Sequence, residues 1–296
     1  MDKEILFFEP NIKNLVWGRE DWTISAHANG DVKVRDGRFA GVKLSQLWVT
    51  HPELFGGGNM SPNFPLLVKI ITTNEDISIQ VHPDDDYAAK NENGSLGKTE
   101  CWYILECEEN TRPVLGHNAR DRAELIEMVD NGRFADLVNE VPIQKGDFIQ
   151  LDAGTIHSIK GGIKLLEIQQ SSDITYRLYD YGRTSNGKPR QLHLSQAFDV
   201  ITYSGENTGS NITPATQRPA NQMSELIRCD YYTVWEFPVV GETTFTQSHP
   251  FLIVCVIGGE GQINDIKIRE GDHFILPYGY GEVKVSGEMQ LILAVG

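Results

Sequence analysis

The stretch GDFIQLDAGTIH, Gly146–His157, holds the reading of the fold. A Gly-Asp pair opens it, a four-residue run of Phe148, Ile149, Gln150 and Leu151 follows, and Asp152-Ala153-Gly154-Thr155 closes it ahead of His157. Glycine and aspartate supply turn conformations, so the run between them predicts a short β-strand entered and left by tight turns. A second stretch, GDHFILPYGYGE at Gly271–Glu282, has the same layout. Superposing the two sets Gly154 against Gly279 and His157 against Glu282. The chain therefore repeats one strand–turn unit, and only the first copy ends on a histidine.

The same punctuation extends in both directions. Leu66–Thr72, Asp76–His82, Glu100–Glu106, Asp147–Leu151, Ile163–Gln169, Tyr232–Phe237, Leu252–Ile257, His273–Leu276 and Met289–Ala294 all predict strands, which makes the protein mainly β. One interval, Ala119–Val141, differs, because Leu125, Met128 and Val129 recur at helical spacing. Asp121 with Glu124 three residues later forms a capping box, Asn131-Gly132 ends the helix, and Phe134, Leu137 and Val138 suggest a second short one. Between Tyr203 and Gln222 large apolar residues almost vanish in favour of Asn, Thr, Ser, Gly and Pro. The expected organisation is a metal-binding domain over 1–205 with a helical insertion near 119–141, a linker at 206–222, and a second domain without metal over 223–296.

With 296 residues, 40% hydrophobic and 23% charged, the chain has the composition of an ordinary folded protein with ample core. Its formal charge of −15 disfavours nucleic acid and anionic membrane surfaces as partners. The opening MDKEILFFEPNIKN lacks the apolar run of a signal peptide, and no stretch approaches the roughly 18–20 apolar residues of a membrane span. The four scattered cysteines form no CxxC pair, as expected of reduced thiols in a cytoplasmic protein. The glycine run FGGGN at Phe55–Asn59 lacks the Lys-Ser/Thr of a phosphate loop and is read as a turn.

In ISIQVH, Ile77, Ile79 and Val81 alternate with Ser78, Gln80 and His82, so a strand sends the second set to one face. GKTECWYILE puts Lys98 and Glu100 on one face of another strand, and the turn DAGTIHS delivers His157. His82, Glu100 and His157, with Gln80 able to supply a fourth oxygen donor, form a set suited to zinc or another borderline divalent ion. The other histidines, His27, His51, His117, His193 and His249, are read as structural or solvent-exposed.

Gln80-Val81-His82 with Glu100, and GDFIQLDAGTIH, resemble the two metal motifs of cupins. More narrowly, FPLLVKII, ISIQVHPDD, LGKTECWYI, GDFIQLDAGTIHSI and LLEIQQSSDITYRLYDYGR occur in the order found in type I mannose-6-phosphate isomerases, particularly their short bacterial form. The resemblance implies two cupin (jelly-roll) β-barrels and one zinc ion per chain, another divalent metal being admissible, held by Gln80, His82, Glu100 and His157. It implies catalytic roles for Arg177, Lys98 and Glu167, and places Ser78, Lys69 and Arg183 at the phosphate or the site wall. The substrate it implies is a small sugar phosphate. Asp152 departs from the usual proline of the second motif, and Trp17–Asp31 looks like a shortened form of the family's tryptophan-rich region.

The activity so implied is the interconversion of mannose 6-phosphate and fructose 6-phosphate through a cis-enediol, with a metal and Arg177 stabilising the developing anion. Glu167 is the candidate base and Lys98 its rival. Arg177 and Arg183 could instead pair with Asp173 or Asp180. Two other functions fit part of the pattern. One is a non-haem iron oxygenase using two histidines and a carboxylate; the other is a non-catalytic sugar-binding bicupin.

Overall fold

A computed structural model describes residues 4–57, 61–185, 187–203 and 212–296. Strands dominate, and the helices are few and short, the α-helix Arg122–Asp130 being the longest described. By contact the chain falls into two compact units. One comprises Met1–Asn11, Trp22–Val68 and Thr216–Gly296, the other Ile12–Asp21 and Lys69–Ala215. The sequence-order division, 1–205 against 223–296, differs from this at its N-terminal end. The cause is long-range pairing: Leu6–Glu9 runs antiparallel to His273–Pro277, with Leu6 opposite Ile275. Nothing local in MDKEILFFEP announces a partner near the other end of the chain. Of the expected linker, residues 206–211 lie outside the described residues. Ile212–Thr213 instead pairs with Phe148–Leu151, and the Ala215 N–H donates to the Asp147 carboxylate at 2.8 Å.

The unit containing the C-terminus is built on two long strands, Thr233–Gln247 and Gly281–Val295, in register from Thr233 opposite Val295 to Gln247 opposite Gly281. The shorter runs expected at Tyr232–Phe237 and Met289–Ala294 are the ends of these strands. Phe251–Ile263 pairs with Gly281–Val295 and His273–Pro277. Residues at alternate positions, among them Phe237, Val239, Leu252, Val254, Phe274, Leu276, Leu291 and Leu293, are buried in one apolar cluster. Each such side chain contributes roughly 1.5–3 kcal/mol when withdrawn from water. Glu282, the counterpart of His157 in the repeat, is exposed. The FGGGN segment ends a 3-10 turn, Pro52–Phe55, and passes through Gly56 and Gly57, while Gly58 and Asn59 lie outside the described residues.

The other unit draws on two sheets. The seven-stranded sheet orders Ile212–Thr213, Phe148–Leu151, Glu100–Glu106, Lys164–Gln170, Leu66–Thr73, Gly18–Ser25 and Asn11–Leu15, the division between units cutting Leu66–Thr73 and Gly18–Ser25. A two-residue turn at Val16-Trp17 joins the last two strands. The five-stranded sheet orders Tyr176–Tyr179, Ile79–Val81, His157–Ser158, Val114–His117 and Val138–Glu140. The expected strand Asp76–His82 is reduced to Ile79–Val81.

The helical insertion forms as Arg122–Asp130 and Phe134–Leu137, with Val138 already in a strand rather than in the second helix. Asp121 caps the first helix by accepting the Glu124 N–H at 2.9 Å. The return bond of the box goes to the Arg120 N–H, one residue before the cap. The helix ends at Asn131-Gly132, with the Arg133 N–H reaching the Met128 carbonyl and that of Gly132 the Val129 carbonyl. No described helix is long and apolar enough to cross a membrane.

Candidate metal centre and active site

The five-stranded sheet sets the first half of the site. Gln80 lies directly opposite His157 on one side and Arg177 on the other. Residues opposite each other across antiparallel strands share a face, so His157, Gln80 and Arg177 point to one side. His82, two residues beyond Gln80, points the same way. The seven-stranded sheet sets the other half. Glu100 is opposite Gln169 and Trp102 opposite Glu167, so this second face carries both carboxylates.

Glu100 lies between the two histidines. His157 Nε2 is 3.4 Å from Glu100 Oε1 and His82 Nε2 is 3.6 Å from Glu100 Oε2. Each ring is oriented by its other nitrogen, His82 Nδ1 on the Ile174 carbonyl at 2.7 Å and His157 Nδ1 on the Thr155 carbonyl at 2.9 Å. Those bonds place the proton on Nδ1 and leave Nε2 as a lone-pair donor. All three residues are at most 2% exposed.

Two backbone features hold these residues in place. Gly154 adopts φ +87, and a side chain there would meet the Thr202 hydroxyl and the Val200 carbonyl, so the turn before His157 requires glycine. Asp152, where proline is usual, is exposed; its carbonyl accepts the Thr155 N–H and its carboxylate the Gln150 amide, which holds the turn without the ring. Gly97, before Lys98, packs against the backbone of Asp84 and Asp85 with no room for a Cβ. Its N–H donates to Asp85 Oδ1 at 2.7 Å, and the Lys98 N–H donates to the Pro83 carbonyl at 2.9 Å.

Lys98 Nζ reaches both a carboxylate and an imidazole, at 2.6 Å from Glu100 Oε2 and 3.0 Å from His82 Nε2. Glu167 is partnered on both oxygens, by Lys69 Nζ at 2.7 Å and by Trp102 Nε1 at 3.2 Å. Lys69 also donates to Gln169 Oε1 at 2.6 Å. Burial alone would raise the Glu167 pKa, but the ammonium groups of Lys69 and Lys98 override it and hold the group at about 2. The Lys69 ammonium is stabilised in return, the Glu167 charge outweighing burial. Both imidazoles are pushed below the ordinary histidine value, first by burial and, for His82, next by the Lys98 charge. Neutral imidazole is the form that binds a metal.

Gln80 turns its amide nitrogen to His157 Nε2 at 3.3 Å, and its oxygen accepts from the Ser78 hydroxyl at 3.0 Å. To serve as a ligand it must turn its oxygen inward, a half-turn of a near-symmetric amide. Ser78, buried at 2% exposure, touches Gln80 in this arrangement. Arg183 spends its donors on the protein: Nη1 on the Asp76 carbonyl at 2.5 Å, Nη2 on Asp180 Oδ1 at 2.6 Å, and Nε on the Asp180 carbonyl at 3.3 Å. Sequence reasoning passed over Asp180's second partner, Arg190, and the indole of Trp102. The rival histidines lie outside the cluster. His117 bonds the Thr202 carbonyl, His193 accepts the Arg177 N–H, and His249 packs on Trp235.

The three ligand atoms of His82, Glu100 and His157 lie within 4.8 Å of one another. Atoms held about 2.1 Å from one ion at tetrahedral angles stand ~3.4 Å apart, close to the separations observed here. Glu100 Oε2 is buried and accepts no hydrogen bond, its contact with Lys98 being ionic. Two neutral nitrogens and a carboxylate with one oxygen accepting no hydrogen bond fit a borderline divalent metal.

Comparison with known proteins places this geometry. The family described as phosphomannose isomerase type I, catalytic domain, matches residues 3–105, and that described as mannose-6-phosphate isomerase, cupin domain, matches residues 222–295. Mannose-6-phosphate isomerase ManA of Bacillus subtilis (strain 168) is 39% identical over 316 aligned positions, covering 99% of both chains. The probable mannose-6-phosphate isomerase GmuF of the same organism is 38% identical over 98% of both. A crystal structure of the mannose 6-phosphate isomerase from Bacillus subtilis superposes with a TM-score of 0.93 at 37% identity over 99% of both chains. Identity at this level along nearly the whole length, on a mainly β cupin architecture, means that the chain belongs to the type I mannose-6-phosphate isomerases, which are aldose–ketose isomerases.

Proposed function

We propose that this protein interconverts mannose 6-phosphate and fructose 6-phosphate in the cytoplasm, using one zinc ion per chain and passing through a cis-enediol. The observation that carries the reading is the convergence of His82, Glu100 and His157 beside Lys98, within reach of a face that also bears Arg177. His82, Glu100 and His157 would hold the metal, with Gln80 as the fourth ligand once its amide is turned. Bound there, a divalent ion supplies Lewis acidity that acidifies the proton next to the sugar carbonyl.

The chain's own residues do the rest. Arg177, always protonated, places a fixed positive charge on the face shared with Gln80 and His157, where negative charge develops on the sugar oxygens. Proton transfer between C1 and C2 needs a group that is close to the cluster and able to exchange a proton. Glu167 is held as an anion near pKa 2 between Lys69 and Trp102, which makes it a weak base and a strong counter-ion. Lys98 is the better candidate, because its Nζ lies beside the cluster and would be released from the His82 lone pair by a metal bound there. On this reading Glu167 keeps Lys69 charged and the indole of Trp102 in place, and Ser78 orients Gln80.

An iron oxygenase would require the same three ligands, but the buried ammonium and half-buried guanidinium groups of this unit suit an anionic substrate better than dioxygen. The deciding experiment is a coupled assay of fructose 6-phosphate formation from mannose 6-phosphate, before and after chelation and zinc add-back. Activity lost with chelation and restored by zinc is expected, with solvent deuterium appearing in the product. Inactivity of the fully zinc-loaded protein would overturn the reading, and solvent deuterium in the product would separate the enediol from a direct hydride shift.

A further inference from the structure

The sequence singles out Arg177 and Arg183, yet the nitrogens left without a hydrogen-bond partner among the described residues are on Arg177 and Arg190. Each of the three nitrogens of Arg183 is engaged internally, by the Asp76 carbonyl, the Asp180 carbonyl and the Asp180 carboxylate. Arg190 makes one bond, from Nη1 to Asp180 Oδ1 at 2.9 Å, which leaves its Nη2 and Nε edge uncommitted among the described residues. Arg177 Nε is buried and has no hydrogen-bond partner there. Arg183 and Arg190 thus share the buried carboxylate of Asp180, with the Arg177 guanidinium near enough to feel all three charges, a local positive excess inside a chain of net charge −15.

The backbone fixes where this excess lies. The His193 N–H donates to the Arg177 carbonyl at 2.9 Å, and the Arg177 N–H donates to the His193 ring at 3.3 Å, so the segment carrying Arg190 runs beside the strand of Arg177. The Arg190 N–H in turn donates to the Arg183 carbonyl at 3.1 Å. His157, Gln80 and Arg177 sit on three adjacent strands; at ~4.8 Å per strand this puts the backbone of Arg177 about 10 Å from that of His157. That separation is comparable to the length of a phosphorylated sugar.

We infer that Arg190, aimed by Asp180, is the residue that grips the substrate's phosphate, and that Arg183 is a buttress for Asp180 rather than a substrate contact. The inference rests on the isomerase reading for the identity of the anion, and it refines which arginine meets it. A guanidinium edge offers two parallel N–H donors matched to two phosphate oxygens, which a lysine cannot reproduce. Asp180 Oδ1 takes Nη1 on one side of Arg190 and so orients its remaining edge.

The test uses Arg190→Gln and Arg190→Lys in the full chain. Loss of a charge-assisted pair should raise KM for mannose 6-phosphate by about 10- to 100-fold, with a smaller change in kcat. Arg190→Lys should recover part of that loss. The inhibition constant of inorganic phosphate should weaken in parallel. Inorganic phosphate binding measured by calorimetry on the same variants needs no turnover, so it judges the anion site even where the isomerase assay fails for the wild type. Phosphate affinity and KM unchanged in Arg190→Gln, with an unchanged melting curve showing the variant folded, would overturn the assignment. An equal loss of kcat with no change in KM or phosphate affinity would overturn it as well.

Discussion

Replacing Glu167 by glutamine removes one charge from a pair buried to a few per cent exposure, and the consequence can be worked out. In the wild type the carboxylate stands 2.7 Å from Lys69 Nζ and 3.2 Å from the Trp102 indole nitrogen. Those partners hold it at about 2, against about 4.3 for a free glutamate. At ~1.4 kcal/mol per pH unit the difference is on the order of 3 kcal/mol of folding stability at neutral pH. Because the folded value lies below the unfolded one, this contribution is complete above about pH 5 and is lost as the pH falls toward about 2. Glu167→Gln should therefore unfold about 3 kcal/mol more easily than wild type at pH 7, and the gap should narrow by about a third at pH 3.5. Urea titration followed by tryptophan fluorescence at the two pH values measures it. All four cysteines are free, so no disulfide complicates the comparison. A gap that stays constant between the two pH values would refute the charge argument and leave only a packing change.

Further outcomes follow from the same contacts. Glu100→Gln withdraws the carboxylate shared by both histidines, and elemental analysis should find the bound metal reduced from one per chain to about a tenth or less. Lys98→Met should keep the metal while lowering kcat by about 10²- to 10⁴-fold and suppressing solvent deuterium exchange; full exchange in that variant would exclude Lys98 as the proton carrier. Gly97→Ala forces a Cβ against the Asp84 backbone, and should cost roughly 1–3 kcal/mol of stability in a thermal melt as well as activity. Burial holds both imidazoles below the usual histidine value, with Lys98 adding to it, so metal retention should persist as the pH falls from about 7 to about 6. Release in step with free histidine, near 6.5, would contradict it.

What the sequence disclosed and what it withheld divide along one physical line. Strands with a strict alternation or a flanking turn were legible: Glu100–Glu106 and His273–Pro277 form within a residue of expectation. His82, Glu100 and His157 were legible too, because each sits at a fixed step from a turn or on the polar face of an alternating run, and the structure brings them together. Arg190 was not legible. It lies in a polar hairpin, and its importance arises only because Asp180 is buried between two arginines. The joining of Leu6–Glu9 to the C-terminal segment was hidden for the same reason, since strand pairing between chain ends leaves no local mark. The length of Thr233–Gln247 was underestimated because Gly241, which reads as a break, is accommodated at φ +77 opposite Gly287 within a continuous ladder.

The distribution of buried charge gives an independent argument for where function resides. Lys69 with Glu167, Lys98 with Glu100, and Arg183 and Arg190 with Asp180 are ion pairs whose acid members are at most 4% exposed. A buried ion pair is often no more stable than well-packed apolar side chains of the same volume, and losing one partner costs about 3–5 kcal/mol. Folding alone therefore gives little reason to keep four of them, on three acids, in one unit. The other unit relies mainly on the alternative, an interior closed by Phe237, Leu252, Phe274, Leu291 and their neighbours, with Glu236 paired to Arg218. The pairs make sense if their cations must be held ready for an anion that comes and goes, because a carboxylate keeps each one charged and aimed in its absence. By that logic the acids of this site are chiefly holders of cations, and on the proposed isomerase reading Lys98 and Arg190 are the ones presented to the sugar phosphate.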